Sequence, residues 1–171
     1  MYGAMKRLVL FSLASAALST TCAFGQVRFE GPQFGYLFDE VSKSVRALSG
    51  VPGAAALEDS MPAGFSVDRA VISRSGFALV ASKAGGAVHR LTPTGAREIG
   101  VADLWSVSPS GAKAVLYSRA TGKVTVWDLS ADDAEAKSAE FNAPELKAVA
   151  IADDGTPAGV AGSALVEISA S

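Results

Sequence analysis

The chain has 171 residues, 49% hydrophobic and 19% charged, enough for one globular domain with a core of its own. Its formal net charge of −2, with no basic run longer than Lys6-Arg7, excludes the polycationic surface that nucleic acid requires. One histidine and one cysteine exclude a metal centre of His and Cys ligands by count.

At the N-terminus Lys6-Arg7 precedes an apolar run, Leu8 to Leu18, and then small and polar residues up to Ala23-Phe24-Gly25-Gln26. A positive start, a short apolar stretch and a small-x-small site describe a secretory signal peptide. Cleavage is expected after Gly25, with Thr21-Cys22-Ala23 as the second candidate site. The apolar run is too short to span a bilayer, so no stable membrane span is expected after cleavage. Cys22 as a lipidated first residue is disfavoured by Thr21, which stands where Gly, Ala or Ser is expected. Residues 1–25 are therefore assigned to the signal peptide and 26–171 to an exported domain, periplasmic or extracellular. That domain has no cysteine and must be held by packing alone. Removing Lys6 and Arg7 leaves 13 basic residues against 17 acidic ones, a net charge of −4.

Gly35-Tyr36-Leu37-Phe38-Asp39 and Val45-Arg46-Ala47-Leu48 read as two strands about a turn at Val41-Ser42-Lys43, and Gly50 to Gly64 as a connecting loop. A pattern then begins that recurs three times: strand, Ser- or Asp-containing glycine turn, strand, second glycine turn, strand. In the first copy Val71–Ser73 leads through Gly76 into Phe77–Ser82, then through Gly85-Gly86 into Ala87–Leu91. Thr92-Pro93-Thr94-Gly95 turns the chain into a fourth strand at Arg97-Glu98-Ile99. In the second copy Ser106-Val107-Ser108 enters the turn Ser108-Pro109-Ser110-Gly111. Ala114–Tyr117, a turn at Gly122 and Val124–Leu129 follow, with β-branched and aromatic residues alternating as on a half-buried pleated face. Ser130-Ala131-Asp132-Asp133 fits a helix cap or a charged loop before an outer strand. The third copy supplies Val149–Ile151, a turn at Asp153-Asp154-Gly155, Pro157–Ala161, Gly162 and Ala164–Ile168.

Gly76, Gly111 and Gly155 lie 35 and 44 residues apart. A period near 40 with several strands per repeat is the signature of propeller blades. The fold class is therefore all-β: a propeller-like array of four-stranded antiparallel blades, incomplete or open. The repeats are placed at about 65–100, 101–142 and 143–171, with a partial blade at 26–50. In that partial blade Phe38-Asp39 takes the third-strand position of Trp127-Asp128, and Val45–Leu48 the outer strand.

Ser106 to Leu129 resembles the WD-repeat and related bacterial propeller families, through its Ser-Pro-x-Gly turn, its small second-strand residues and its closing Val126-Trp127-Asp128-Leu129. The Trp-Asp pair occurs once, with His89-Arg90 and Val166-Glu167 in the corresponding places. No Gly-His dipeptide precedes a repeat, so the resemblance implies a divergent bacterial propeller without the His-to-Asp network. About three and a half blades fall short of the four to eight of closed propellers. An open series leaves apolar faces exposed, which implies a truncated product, a capping partner or self-association. If the ring closed within one chain, Tyr36–Leu48 would lie beside Ala164–Ile168; an open arc is the expectation.

The residues singled out are structural: Gly76, Gly111 and Gly155 at turns, Trp105 and Trp127 between blades, and Asp128 closing a strand. His89 is read as a strand-surface residue, and no catalytic, cofactor or metal site is assigned. Asp153-Asp154-Gly155 fits a turn in which Asp bonds the backbone better than a calcium loop. No nucleophile elbow, phosphate loop or dinucleotide fingerprint is present. The expected function is that of an exported, non-enzymatic scaffold binding a protein or small ligand at the blade-end loops. The alternative is part of an exported propeller-type hydrolase or lyase.

Overall fold

The computed structural model describes residues 33–51, 53–83, 85–130 and 136–169. The expected signal peptide, Cys22 and Asp132-Asp133 lie outside them. The described residues form fourteen strands and no helix. The first sheet is β1 (Gln33–Asp39), β2 (Ser44–Ser49) and β3 (Ala56–Ser60). The second is β4 (Arg69–Ile72), β5 (Ala78–Ala81), β6 (Ala87–Thr92) and β7 (Gly95–Val101). The third is β8 (Leu104–Val107), β9 (Lys113–Ser118), β10 (Lys123–Asp128) and β11 (Ala136–Asn142). The last is β12 (Leu146–Ile151), β13 (Pro157–Ala161) and β14 (Ala164–Glu167). Each is an antiparallel meander in chain order, and no described strand pairs across sheets. The result is an open, propeller-like array. Tyr36–Leu48 does not pair with Ala164–Ile168.

The sheets pack face to face because the second strands of the middle sheets are apolar on both sides. Along β5, Ala78 and Val80 point into a core with Val45, Met61, Val67 and Leu91, against the first sheet. Leu79 and Ala81 point the other way, into a core with Trp105, Ala114, Leu116 and Leu129 of the third sheet and its following turn. On β9 the same alternation places Ala114 and Leu116 toward the second sheet. Val115 and Tyr117 face the last, meeting Leu146, Ile151 and Ile168. Successive side chains on a strand point to opposite faces, so an unbroken apolar run serves two interfaces at once.

Two turns recur with their backbone conformations. The turn after each sheet's first strand carries a left-handed glycine in the second, third and last sheets: Gly76 (φ 84°), Gly111 (φ 82°) and Gly155 (φ 92°). The next hairpin of the second, third and last sheets has one at Gly85, Gly122 and Gly162, with φ of 62–67°.

The β1–β2 turn belongs to this second class, with Lys43 (φ 51°) in the glycine position. Hydrogen bonds agree. The chain leaving β7 returns through Ala102 N–H to Gly86 O, that leaving β11 through Ala143 N–H to Gly122 O, and that leaving β3 through Val67 N–H to Lys43 O. So β1, β2 and β3 correspond to the second, third and fourth strands of the complete sheets. This corrects the sequence reading by one strand: Val45–Leu48 is central, and the stretch read as a loop contains the outer strand β3. The error has a physical origin. An Asp ending a strand caps the following turn by accepting its N–H groups, as Asp39 does for Val41 and Ser42 and Asp128 does for Ser130. The aromatic-Asp pattern therefore does not distinguish the two turns.

The Tyr117 hydroxyl is one tie between the third sheet and the last. The buried Tyr117 donates its OH to Pro144 O at 3.1 Å and accepts the Leu146 N–H at 3.3 Å. Tyr117→Phe leaves that buried N–H without its acceptor, and an unmade buried hydrogen bond costs about 1–3 kcal/mol. Urea denaturation should show a loss in this range; an unchanged midpoint would mean the hydroxyl is idle.

The glycines give a graded expectation. A Cβ at Gly76 or Gly155 meets nothing within 4 Å, so alanine there brings only left-handed strain, about 1–2 kcal/mol. At Gly111 the added carbon would also overlap Ser73 Oγ and Ser75 Oγ of the neighbouring sheet. Gly111→Ala should be the most destabilising of the three by thermal melting, and equal losses at all three positions would refute the contact.

Candidate functional site

The three anchoring glycines lie in turns joined across sheets. Ser75 Oγ of the second sheet donates to Ser110 O of the third at 2.7 Å, and Ser110 N–H donates to Asp153 Oδ1 of the last at 2.8 Å. Within the turns Ser73 Oγ accepts from Ser75 N–H, Ser108 Oγ from Lys113 N–H, and Asp154 Oδ1 from Thr156 N–H. Two of these bonds fasten neighbouring sheets and the other three shape the turns themselves.

Trp105 is buried between the second and third sheets, with the Arg69 guanidinium 4.4 Å from its ring centre. Trp127, half-buried, packs against the same core. Its Cα partner on the second strand is Ala114. The corresponding residue of the second sheet is Leu91, paired with Ala78. In the last sheet it is Ile168, whose N–H bonds Pro157 O. The structural counterparts of Trp127 are thus Leu91 and Ile168, not His89 and Val166. Asp128 accepts from Lys113 Nζ at 2.6 Å and from Ser130.

His89 is a further correction. It is half-buried rather than on the solvent face, because Phe65, in the segment entering β4, covers it with ring centres 4.8 Å apart. Its neighbour Arg90 is buried over the Phe77 ring at 4.7 Å. Among the described residues no group of three or more His, Cys, Asp or Glu could hold a metal ion.

A shallow, open concavity lies on a face that the sequence did not single out. In the last sheet Val149, Gly159 and Val166 stand opposite one another, and Val149 and Val166 pack toward the third sheet. The alternate rows, Ala150–Ala158–Glu167 and Ala148–Val160–Leu165, face outward. In the third sheet the corresponding outward positions hold Val115, Tyr117, Val124 and Val126, all covered by the last sheet. Here nothing among the described residues covers them, and Leu165 is 79% exposed. A concavity of about 600 Å³ opens on this face, walled by Ala150, Ile151, Ala158 and Leu165 with Thr156 and Glu167 as its polar groups. Its signal in the sequence was the Ala-rich alternation of β12 and β13, which reads equally as a packed interface.

No protein-family model matches the chain. No curated protein sequence matches it either. Among solved structures, a protein of Lactobacillus plantarum is similar at 11% identity and a TM-score of 0.42, over 79% of this chain and 45% of that one. The chain therefore spans less than half the length of that protein.

Among the described residues five carboxylates are held below their ordinary values. Ser42 does this for Asp39, Lys113 for Asp128, Lys123 with Lys137 for Glu140 (to about 2), Ser110 for Asp153, and the Thr156 N–H for Asp154. A depressed carboxylate stabilises the fold above its unfolded pKa, and the contribution is lost as pH falls through the folded one. The Glu140 contribution should hold above its ordinary 4.5 and be lost as pH falls toward about 2, and those of the four aspartates should begin to fall below their ordinary 3.8. Thermal melts across that range should show the fall, and Asp153→Asn should remove part of it. A melting temperature independent of pH below 4.5 would contradict these contacts.

Proposed function

We propose that the chain is a binding scaffold of the propeller type that acts through the uncovered face of its last sheet, not through catalysis. The observation that carries this reading is the concavity beside Leu165: apolar walls, two polar groups and a large exposed side chain. Ligand-binding surfaces are built this way, with apolar area for affinity and few polar groups for orientation, and exposed apolar patches mark contact sites. The row of turns at Gly76, Gly111 and Gly155 is less suited, because Ser75, Ser110 and Asp153 already bond from sheet to sheet there. The resemblance of Ser106–Leu129 to WD-repeat blades supports a scaffold role of the same kind.

Export is part of this proposal. It is supported by Lys6-Arg7, the apolar Leu8–Leu18 and the Ala23-Phe24-Gly25 site, which together suit a periplasmic or extracellular protein. Mass spectrometry of protein recovered outside the cytoplasm should give an N-terminus at Gln26; intact Met1 in a soluble cytoplasmic form would count against it.

For the binding surface, a photo-crosslinking amino acid at position 165 should give, in producing cells, an adduct of defined mass. The same group at Arg97, on the outer strand β7, should give none. Absence of any adduct at 165 removes the reading.

A further inference from the structure

We propose that the uncovered face of the last sheet receives the first sheet of a second copy of this chain, head to tail, so that two copies close a ring of eight sheets. The proposal rests on the reading of that face as a binding surface and adds the identity of what binds there.

The internal junctions of the chain follow one rule. The outward face of the first sheet, with Tyr36, Phe38 and Val45, takes the inward face of the second, with Ala78, Val80 and Leu91. The outward face of the second, with Leu79, Ala81 and Val88, takes Trp105, Ala114 and Leu116 of the third. The outward face of the third, with Val115, Tyr117, Val124 and Val126, takes Leu146, Ile151 and Ile168. At every junction the outward side chains of one sheet meet the inward side chains of the next. The last described sheet presents an outward face, Ala158, Val160 and Leu165, whose counterpart by the same rule is an inward sheet face.

One inward face is unused among the described residues, that of the first sheet. On β1 and β2 the residues alternate with Tyr36, Phe38 and Val45, so Leu37, Arg46 and Leu48 point away from the second sheet. Leu48 stands opposite Leu57 of β3, which is 43% exposed. Leu37, Leu48 and Leu57 give this face large side chains, where the last face offers Ala148, Ala150, Ala158 and a recess of about 600 Å³. Large groups against small ones is the arrangement that close packing favours.

Charge agrees with this pairing. The Glu167 carboxylate, beside the recess, has no ion pair or hydrogen bond among the described residues. Arg46 contacts Asp39 at 3.7 Å and donates Nε to Glu58 O at 2.8 Å and Nη2 to Leu57 O at 3.5 Å, and a guanidinium has five N–H donors. Its remaining N–H groups can donate to a second carboxylate at the same face.

Geometry limits the assembly. A contact between two different faces of the same molecule either closes a ring or runs on as a filament. The four described sheets give eight from two copies, within the four to eight blades of closed propellers. Both junctions of such a ring are identical, and among the described sheets each apolar face then meets another.

Light scattering on the protein purified from outside the cytoplasm, at micromolar concentration, should give the mass of two copies. Leu165→Arg and Leu57→Arg, both at exposed positions, should each keep the circular dichroism of the parent and each give monomer. Mixed together, the two variants should recover a two-copy species, because one junction then joins an intact last face to an intact first face. A monomeric parent overturns the proposal, as does a mass that climbs past two copies with concentration. A dimer insensitive to Leu57→Arg overturns it too, since it would mean two last faces meeting each other. Adducts from position 165 with a different protein keep the binding reading and refute this occupant.

Discussion

The structure depends on burial of the second strand of each middle sheet from both sides at once. β5 and β9 contribute Leu79, Val80, Val115, Leu116 and Tyr117 to cores on opposite faces, and none of these is exposed by more than a few per cent. Full burial of side chains this size is worth about 1.5–3 kcal/mol each. Because the alternation divides that gain between two neighbours, no sheet is stable alone and each depends on the next. Repeat arrays behave this way, their stability being a sum of unit and interface contributions. Among the described sheets the same constraint leaves an outward apolar face on the last and an inward one on the first.

The turns set the register that this alternation needs. A slip of one residue would exchange the two faces of a strand and send each side chain to the wrong interface. Left-handed glycines at Gly76, Gly111 and Gly155 fix where the second strand begins, and the bonds from Ser75 to Ser110 and from Ser110 to Asp153 hold neighbouring sheets in step. In the third sheet the turn holds one residue more than in the others: Ser108 N–H bonds Lys113 O, five residues on, where Ser73 and Ala152 reach Phe77 and Thr156, four residues on. The difference is absorbed inside the turn, and Ala114 keeps the inward position held by Ala78 and Pro157.

Much of this was legible in the sequence, for identifiable reasons. Glycine turns bounding alternating apolar strands announced the meanders from Val71 to Ile168, since the chemistry that makes them is local. The first sheet was misread by one strand because Asp39 and Asp128 cap different turns by the same means. His89 was misplaced because Phe65, which covers it, is 24 residues away and no strand pattern marks its segment. The outward face of β12–β14 escaped notice because Ala150 and Ala158 look the same whether or not a neighbour covers them. Local periodicity identifies two faces on a strand, while the occupant of each face is a fact of tertiary packing.

Native-state hydrogen exchange tests the dependence on two-sided burial most directly. The amides of β5 and β9 should exchange only through global unfolding, with the highest protection in the chain, while β3 and β14, exposed on one side, should exchange by local opening. Protection in β14 equal to that in β9, or slow exchange confined to one sheet while its neighbours open freely, would contradict the account.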